Sequence, residues 1–152
     1  MTVLRAVILS LALLSPIALP PAALADSPPI YTPLRHDVAL KGYDTVSYFS
    51  GKPMKGQKRF TAEYKGAEWR FSTQANLDLF QTNPEVFIPQ YGGYCAWAVA
   101  HGKLAKGSPK HWLVEDGRLY LNFNGRIQKQ WRADQDDFVR RANERWPDIL
   151  RD

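Results

Sequence analysis

The chain has 152 residues, with 20 Lys and Arg against 15 Asp and Glu, which gives a formal net charge of +5. This length suits one ordinary domain that buries a core without staples, and a single cysteine excludes an internal disulfide. The basic residues are scattered except for Arg140, Arg141 and Arg145, a trio typical of a solvated helix face. Without a nucleic-acid-recognition motif beside them, they argue against a nucleic-acid partner.

The N-terminal segment, residues 1–25, has the layout of a secretory signal peptide. A short n-region carries Arg5, an apolar stretch follows, and the segment closes on Ala23-Leu24-Ala25, an A-x-A cleavage site. Three prolines interrupt the apolar run before it reaches the roughly 18 uninterrupted residues that a membrane span requires. We therefore expect cleavage after Ala25, no stable membrane span after cleavage, and a periplasmic or secreted protein.

The first part of the mature chain predicts an extended lead-in and then a short helical turn. Residues 26–35 are proline-rich, so they favour an extended conformation, and the domain itself is expected from residue 36 to residue 152. Asp44 is a good N-cap for a turn that directs Val46, Tyr48 and Phe49 towards the interior.

Residues 59–72 predict a β-hairpin that turns at Lys65-Gly66. Pairing outward from this turn puts one apolar and one polar face on the hairpin, as a strand pair that covers a core requires. The apolar pairs are Tyr64 with Ala67, Ala62 with Trp69, and Phe60 with Phe71. On the polar face Glu63 opposes Glu68, and Arg70 is close enough to offset this repulsion.

Three helices are predicted after the first hairpin. Ser72 or Thr73 caps a helix over residues 74–83, and Asn83-Pro84-Glu85 starts a second one, with proline at its first position. A short alanine-rich helix follows within residues 92–102, and Gly102 is placed to end it.

A second hairpin is predicted to turn at Asp116-Gly117, one of the strongest short hairpin signals. It pairs Glu115 with Arg118 as a surface ion pair and collects an apolar face of Trp112, Val114, Leu119 and Leu121. A turn or short helix then runs from Asn124-Gly125 through Trp131. The C-terminal helix is expected from about Asp134 to Trp146, with Phe138, Ala142 and Trp146 on one stripe, and Pro147 stops it.

The predicted elements add up to a small single domain of the α+β class. It has two β-hairpins with several short helices packed on them. Apart from the two hairpins, the sequence indicates no internal repeat.

Several blocks of the sequence resemble the exported, single-domain branch of the YHS-domain family. They are "LKGYDTVSYF", "EYKGAEWRFSTQANLDLFQTNPEVFIPQYGGYCAWAVAHGK", "LYLNFNGRIQKQW" and "WPDIL", of which the Gly-Gly-Tyr-Cys-Ala motif is the most specific. The resemblance implies a heavy-metal-binding module with cysteine ligands near the domain start and around the end of the second strand. This chain departs from that pattern, with no cysteine in residues 42–46, Ser72 at the strand end, and Asn76 in the following helix.

Cys95 is the residue on which a metal or thiol function depends. Gly92 and Gly93 allow a sharp turn or a close backbone approach, and a thiol in the first helical turn meets free N–H groups that favour the thiolate. Tyr91, Tyr94 and Trp97 complete a possible site wall with the two glycines. The alternative is a small buried group that lets the helix pack closely, since free cysteine is among the most buried residue types.

A metal site at Cys95 requires further ligands. His101 lies some 120° around the helix from Cys95, at about 100° per residue, so one regular helix does not let both bind one ion. His36, His111 and Met54 are the other candidates, if the fold brings them in. Copper, or another soft transition metal, suits cysteine with methionine or histidine.

Motifs of common enzyme classes are missing from the sequence: it has no nucleophile elbow, H-E-x-x-H, P-loop or Rossmann glycine signature. A lone thiol also has no resolving partner within the chain for dithiol chemistry. The sequence therefore predicts an exported binding module, with a soft or transition metal ion at Cys95 as its candidate ligand. A thiol-reactive or redox-sensing protein and a non-catalytic domain that binds an unknown protein partner are the alternatives.

Overall fold

The computed structural model describes residues 26–34 and 36–151, so the predicted signal peptide lies outside the described residues. It contains two two-stranded antiparallel sheets and several helices, which confirms the predicted α+β class. The strands are β1 (Gln57–Tyr64), β2 (Ala67–Phe71), β3 (Ser108–Glu115) and β4 (Arg118–Asn122). The α-helices are α1 (Gln74–Thr82), α2 (Pro84–Phe87), α3 (Ala96–Ala100), α4 (Gly125–Ala133) and α5 (Gln135–Arg145). Four 3-10 segments complete the described structure: Ala39–Gly42, Val46–Ser50, Gln90–Gly93 and Asp148–Arg151.

The first hairpin has the predicted turn and the predicted register next to it. Tyr64 pairs with Ala67, Ala62 with Trp69, and Glu63 with Glu68, and Arg70 forms an ion pair with Glu68. The predicted pair of Phe60 with Phe71 is wrong. Phe71 pairs with Gln57 instead, because a bulge between Gln57 and Thr61 adds residues to β1.

The second hairpin repeats this arrangement. Val114 pairs with Leu119 and Trp112 with Leu121, as the turn at Asp116-Gly117 predicted. Glu115 opposes Arg118 in the register, but no ion pair joins them among the described residues.

The helices begin where the capping residues indicate. The Thr73 hydroxyl oxygen accepts a hydrogen bond from the Asn76 N–H, so Thr73 rather than Ser72 caps α1. Asn124 caps α4 through the Ile127 N–H, and Pro84 is the first residue of α2. These side chains satisfy N–H groups that have no partner within the helix.

The prediction of no internal repeat is wrong, because the described structure contains the same unit twice. β1 begins at residue 57 and β3 at residue 108, β2 at 67 and β4 at 118, and α1 at 74 and α4 at 125, always 51 positions apart. Both hairpins have the same register and the same bulge. We call residues 39–87 the first repeat and residues 90–145 the second repeat.

Backbone geometry supports the repeat residue by residue. Leu40 and Tyr91 both have positive φ, as do the turn residues Lys65 and Asp116. An isolated bridge joins Tyr43 to Lys55 in the first repeat, and the matching bridge joins Tyr94 to Lys106 in the second. Positive φ in a residue other than glycine is uncommon, so its recurrence at matched positions indicates one shared backbone path.

The two repeats do not have separate cores, because β4 is buried on both faces. Tyr120 packs into the core of the second repeat, with Trp131 and Val99. Leu119 and Leu121, on the other face of β4, belong to the core of the first repeat. The corresponding residues of β2 are Glu68 and Arg70, which stay partly exposed, so the outer face of the first hairpin is polar.

The lead-in is docked on both repeats. Ile30 is 3% exposed and packs in the core of the first repeat, and the Tyr31 N–H donates to the Gly92 carbonyl oxygen of the second repeat at 2.9 Å. A Cβ added at Gly92 would lie 1.8 Å from the Pro29 carbonyl oxygen, so only glycine fits beneath this segment. The close approach predicted for the glycine pair is therefore made by the lead-in.

Candidate functional site

Asp44 is the centre of a buried polar cluster in the first repeat. Its carboxylate is fully buried, and the N–H groups of Val46 and Ser47 donate to Oδ1 at 2.9 and 3.3 Å. Oδ2 accepts from the Ser72 N–H at 2.8 Å, the Ser72 hydroxyl at 2.6 Å and the Asn76 side-chain amide at 2.7 Å. Five donors thus surround one charge, which is how a buried carboxylate is compensated.

This cluster contains the positions at which the family resemblance implies metal ligands. The fold brings the domain start, the end of β2 and the start of α1 together at Asp44, but with a carboxylate, a hydroxyl and an amide rather than thiols. Both oxygens of the carboxylate already accept hydrogen bonds from protein donors. Soft metals select thiolate and thioether ligands, so the residues of this cluster do not fit a soft metal ion.

Cys95 occupies in the second repeat the position that Asp44 occupies in the first. The Asp44 N–H donates to the Met54 carbonyl oxygen at 2.9 Å, and the Cys95 N–H donates to that of Ala105 at 2.8 Å, 51 positions later in both cases. Three backbone N–H groups act on the Cys95 thiol and lower its pKa, and they are the counterparts of the N–H groups that hold the Asp44 carboxylate. They belong to Trp97, Ala98 and Phe123.

The prediction that this environment favours the thiolate is wrong in its net effect. Cys95 is 1% exposed, and burial raises the pKa of its thiol, because a low-dielectric interior disfavours the charged form. The N–H groups of Ala98, Phe123 and Trp97 act in the opposite direction and lower the pKa, but they do not outweigh burial. The thiol therefore sits neutral among donors arranged for an anion.

Asn122 is a site residue that the sequence analysis missed. It is fully buried at the end of β4, and its Oδ1 accepts from the Cys95 thiol at 3.9 Å. Its Nδ2 has no hydrogen-bond partner among the described residues. The signal available in the sequence is a single amide that ends the apolar run Leu119-Tyr120-Leu121, at the position where the first repeat has Phe71.

The predicted accessory ligands lie apart from one another. His101 is exposed and stacks on Trp97, with ring centroids 3.8 Å apart, and its Nδ1 contacts the Trp97 carbonyl oxygen at 2.7 Å. His36 is exposed in the segment before the first repeat, and His111 lies in β3 beside Gly125. Within residues 26–34 and 36–151, no three side chains of His, Cys, Asp or Glu are grouped to hold a metal ion.

Met54 belongs to the surroundings of Asp44 in the first repeat. Its carbonyl oxygen accepts from the Asp44 N–H, and its N–H donates to the Ser47 hydroxyl at 2.9 Å. The side chain is 53% exposed. A role of Met54 and the three histidines as ligands of an ion at Cys95 stays a prediction.

The residues predicted as a site wall have other partners in the structure. The Tyr91 hydroxyl donates to Asn143 at 3.0 Å, and the Tyr94 hydroxyl donates to the Pro28 carbonyl oxygen at 2.9 Å. These bonds direct the two rings towards α5 and the lead-in. Gly93 contacts Leu121, whereas Trp97 contributes its backbone N–H to the Cys95 sulfur.

No helix in the described part of the chain has the length and apolar character needed to cross a membrane.

The YHS domain family matches residues 46–91, which run from the turn after Asp44 through both strands of the first hairpin to Tyr91. Neither the curated proteins nor the solved structures contain a match to this chain. The second repeat, with Cys95, lies outside the matched segment. A YHS domain is thus found at residues 46–91, and it coincides with most of the first repeat.

Proposed function

We propose that the protein is an exported, non-enzymatic binding module built on a YHS domain. Its export is supported by the signal-peptide layout of residues 1–25. Production in a bacterium and mass measurement of the periplasmic fraction tests this part. We expect a chain that begins at Asp26, and a full-length chain retained in the cytoplasm would contradict it.

YHS domains are associated with metal handling, so the first question is whether this module handles a metal. The observation that carries our answer is the saturation of the Asp44 carboxylate by five protein donors. A metal ion at this point would have to displace hydrogen bonds to a buried charge, each of which contributes about 1.5–3 kcal/mol. The cluster therefore serves the fold, and the module binds a ligand other than a soft metal ion.

The test is metal titration of the purified protein with Zn(II) and with Cu(I) under reducing conditions. We expect that the residues around Asp44 bind neither metal ion. Ser72→Ala and Asn76→Ala should therefore leave the titration curve of the protein unchanged. A second variant, Ser72→Cys with Asn76→Cys, restores the thiols and is expected to bind metal if the backbone of this site still has the geometry of the family. Binding by the unaltered protein that is lost in either alanine variant would overturn the proposal.

Metal binding through Cys95 is the second candidate function. The association of YHS domains with metal handling motivates it, and Cys95 itself lies outside the matched residues 46–91. The prediction still requires a second ligand, which residues 26–34 and 36–151 do not group around this sulfur. The same titration with Cys95→Ser tests it. Unchanged affinity and stoichiometry exclude Cys95 as the ligand, and lost binding establishes it.

A thiol-reactive function is the weakest of the predicted alternatives. Reactive cysteines are accessible and have a lowered pKa, whereas burial raises the pKa of the Cys95 thiol. A binding module with a structural cysteine accounts for both the burial and the hydrogen bonds of this residue.

A further inference from the structure

A group of cations lies beside the first hairpin, close in the chain to Asp44 but outside the set of donors that hold its carboxylate. The Lys55 Nζ donates to the Lys41 carbonyl oxygen at 2.7 Å and lies 4.0 Å from the centre of the Tyr43 ring. The Arg70 side chain packs against Gly42, the next residue after Lys41. We call Lys41, Lys55 and Arg70 the basic site.

These cations repel one another. Lys41, Arg70 and Lys110 each lower the pKa of the Lys55 ammonium, after the larger effect of burial. One carboxylate lies beside them, in Glu68. Glu68 forms an ion pair with Arg70, but Lys41, Lys55 and Lys110 have no carboxylate within ion-pair distance among the described residues.

Two residues of the basic site line a shallow, open pocket. Lys41 and Arg70 enclose about 300 Å³ together with Pro33, His36 and Val38. The Lys41, Lys55 and Lys110 side chains are exposed, so a dissolved anion reaches them directly. Clefts lined by charge of one sign concentrate ions of the opposite sign.

Comparison of the two repeats shows that this site is particular to the first one. Lys41 has φ of 52°, a left-handed conformation that is costly for a residue other than glycine, and its counterpart 51 positions later is Gly92. Arg70 has Leu121 as its counterpart, a core residue. The first repeat therefore carries two cations where the second carries a glycine and a leucine, and one of them is held against its backbone preference.

We propose that the basic site binds a phosphate-type oxyanion, on a small molecule or on a lipid headgroup. An arginine fork with two ammonium groups beside it suits a compact, multiply charged anion, because arginine binds two oxygens at once and lysines act as point charges. This inference rests on the proposed binding role and gives that role a ligand class. It uses none of the residues around Asp44 or Cys95, so the metal titration and the phosphate titration succeed or fail independently.

The experiment is calorimetric titration of the purified protein with sodium pyrophosphate at low salt, and the decisive variant is Lys41→Gly. Glycine is the residue of the second repeat at this position and relieves the positive φ, so the variant is expected to melt at the same or a higher temperature. We expect pyrophosphate to bind with a stoichiometry of one and Lys41→Gly to weaken it by about tenfold, the value of one charge-assisted hydrogen bond. Lys106→Ala is the matched control, because Lys106 is the counterpart of Lys55 and the variant removes the same net charge.

Vesicles of phosphatidylglycerol and of phosphatidylcholine distinguish the two sources of the anion. Binding of pyrophosphate without binding to either vesicle indicates a soluble ligand. Binding to phosphatidylglycerol vesicles that Lys41→Gly weakens indicates a headgroup. The proposal is overturned if pyrophosphate does not bind, or if Lys41→Gly and Lys106→Ala weaken binding equally, since the effect would then belong to net charge alone.

Discussion

The equivalence of Cys95 and Asp44 makes a quantitative prediction for Cys95→Asp. A carboxylate in this fully buried place would normally unfold a small domain, because an uncompensated buried ion costs several kcal/mol. Here the N–H groups of Trp97, Ala98 and Phe123 already point at the side chain. We therefore expect the variant to fold.

The magnitude follows from the hydrogen bonds that the first repeat makes. Hydrogen bonds to a charged group contribute about 1.5–3 kcal/mol each, so three of them supply roughly 5–9 kcal/mol against the cost of desolvating one carboxylate. Two donors of the Asp44 cluster have no equivalent, because Phe123 replaces Ser72 and Ile127 replaces Asn76. Exchange of the amide O and N of Asn122 would aim the unpartnered Nδ2 at the new carboxylate. We expect the free energy of unfolding to change by no more than about 2 kcal/mol.

The assay is guanidinium denaturation followed by tryptophan fluorescence and circular dichroism. Val99→Asp is the matched control, since Val99 is fully buried in the same short helix and its side chain has no comparable set of donors in the described structure. We expect this control not to fold at neutral pH. If Cys95→Asp fails to fold, as Val99→Asp does, the N–H groups around the sulfur do not stabilise an anion. The positions of Cys95 and Asp44 would then match in backbone geometry but not in their ability to hold a carboxylate.

Three further predictions concern the same features. Asp44→Asn should lower the free energy of unfolding by about 3 kcal/mol or more in urea denaturation, because it removes the charge and turns an amide NH2 donor towards groups that are themselves donors; a loss below about 1 kcal/mol would contradict the role of the cluster. Alkylation of Cys95 by iodoacetamide should be slower than that of free cysteine at pH 8 and should accelerate only well above about pH 8.5, since burial raises the pKa of the thiol; a rate that reaches the free-cysteine value would refute this. Gly92→Ala should detach the lead-in, because the new Cβ meets the Pro29 carbonyl oxygen, and limited proteolysis should then cut residues 26–31 faster. Gly51→Ala is its control, with a similar positive φ but open space around it; equal proteolysis of the two variants would show that backbone strain alone is responsible.

The local structure followed from the sequence where single residues determine it. Turn residues such as Lys65-Gly66 and Asp116-Gly117 set the register of both hairpins, and side-chain caps set the helix starts. The bulge in β1 was not predictable from alternation, because it depends on a distant contact. The strand leaves the hairpin there to approach the segment around Gly42, to which the Gly56 N–H donates.

The repeat was missed because the residues that its two copies share are few and serve the backbone rather than the core. Identical pairs are mainly glycines and lysines at turns and bridges, among them Gly42 and Gly93, Gly51 and Gly102, Lys55 and Lys106, and Gly66 and Gly117. Core positions differ in size and type, as in the pair of Phe80 and Trp131. A search at fixed spacing for residues that take positive φ would have found the repeat.

The environment of Cys95 was only half predictable. Its position at a helix start follows from the glycines and alanines around it, and this correctly indicated N–H groups near the sulfur. Its burial comes from β4 and from the strand end at Asn122, which are far away in the sequence. Because burial and hydrogen bonding shift the thiol pKa in opposite directions, the sign depended on tertiary packing.

The outer face of the first hairpin is polar, whereas the corresponding face of the second hairpin is apolar. In the second hairpin the same positions carry leucines, and these leucines attach it to the first repeat. With leucines also at residues 68 and 70, the first hairpin would expose an apolar face to other copies of the chain. Such a face favours head-to-tail association into an open filament. Glu68 and Arg70 instead put charges on this face, as the terminal units of repeat proteins do for solubility.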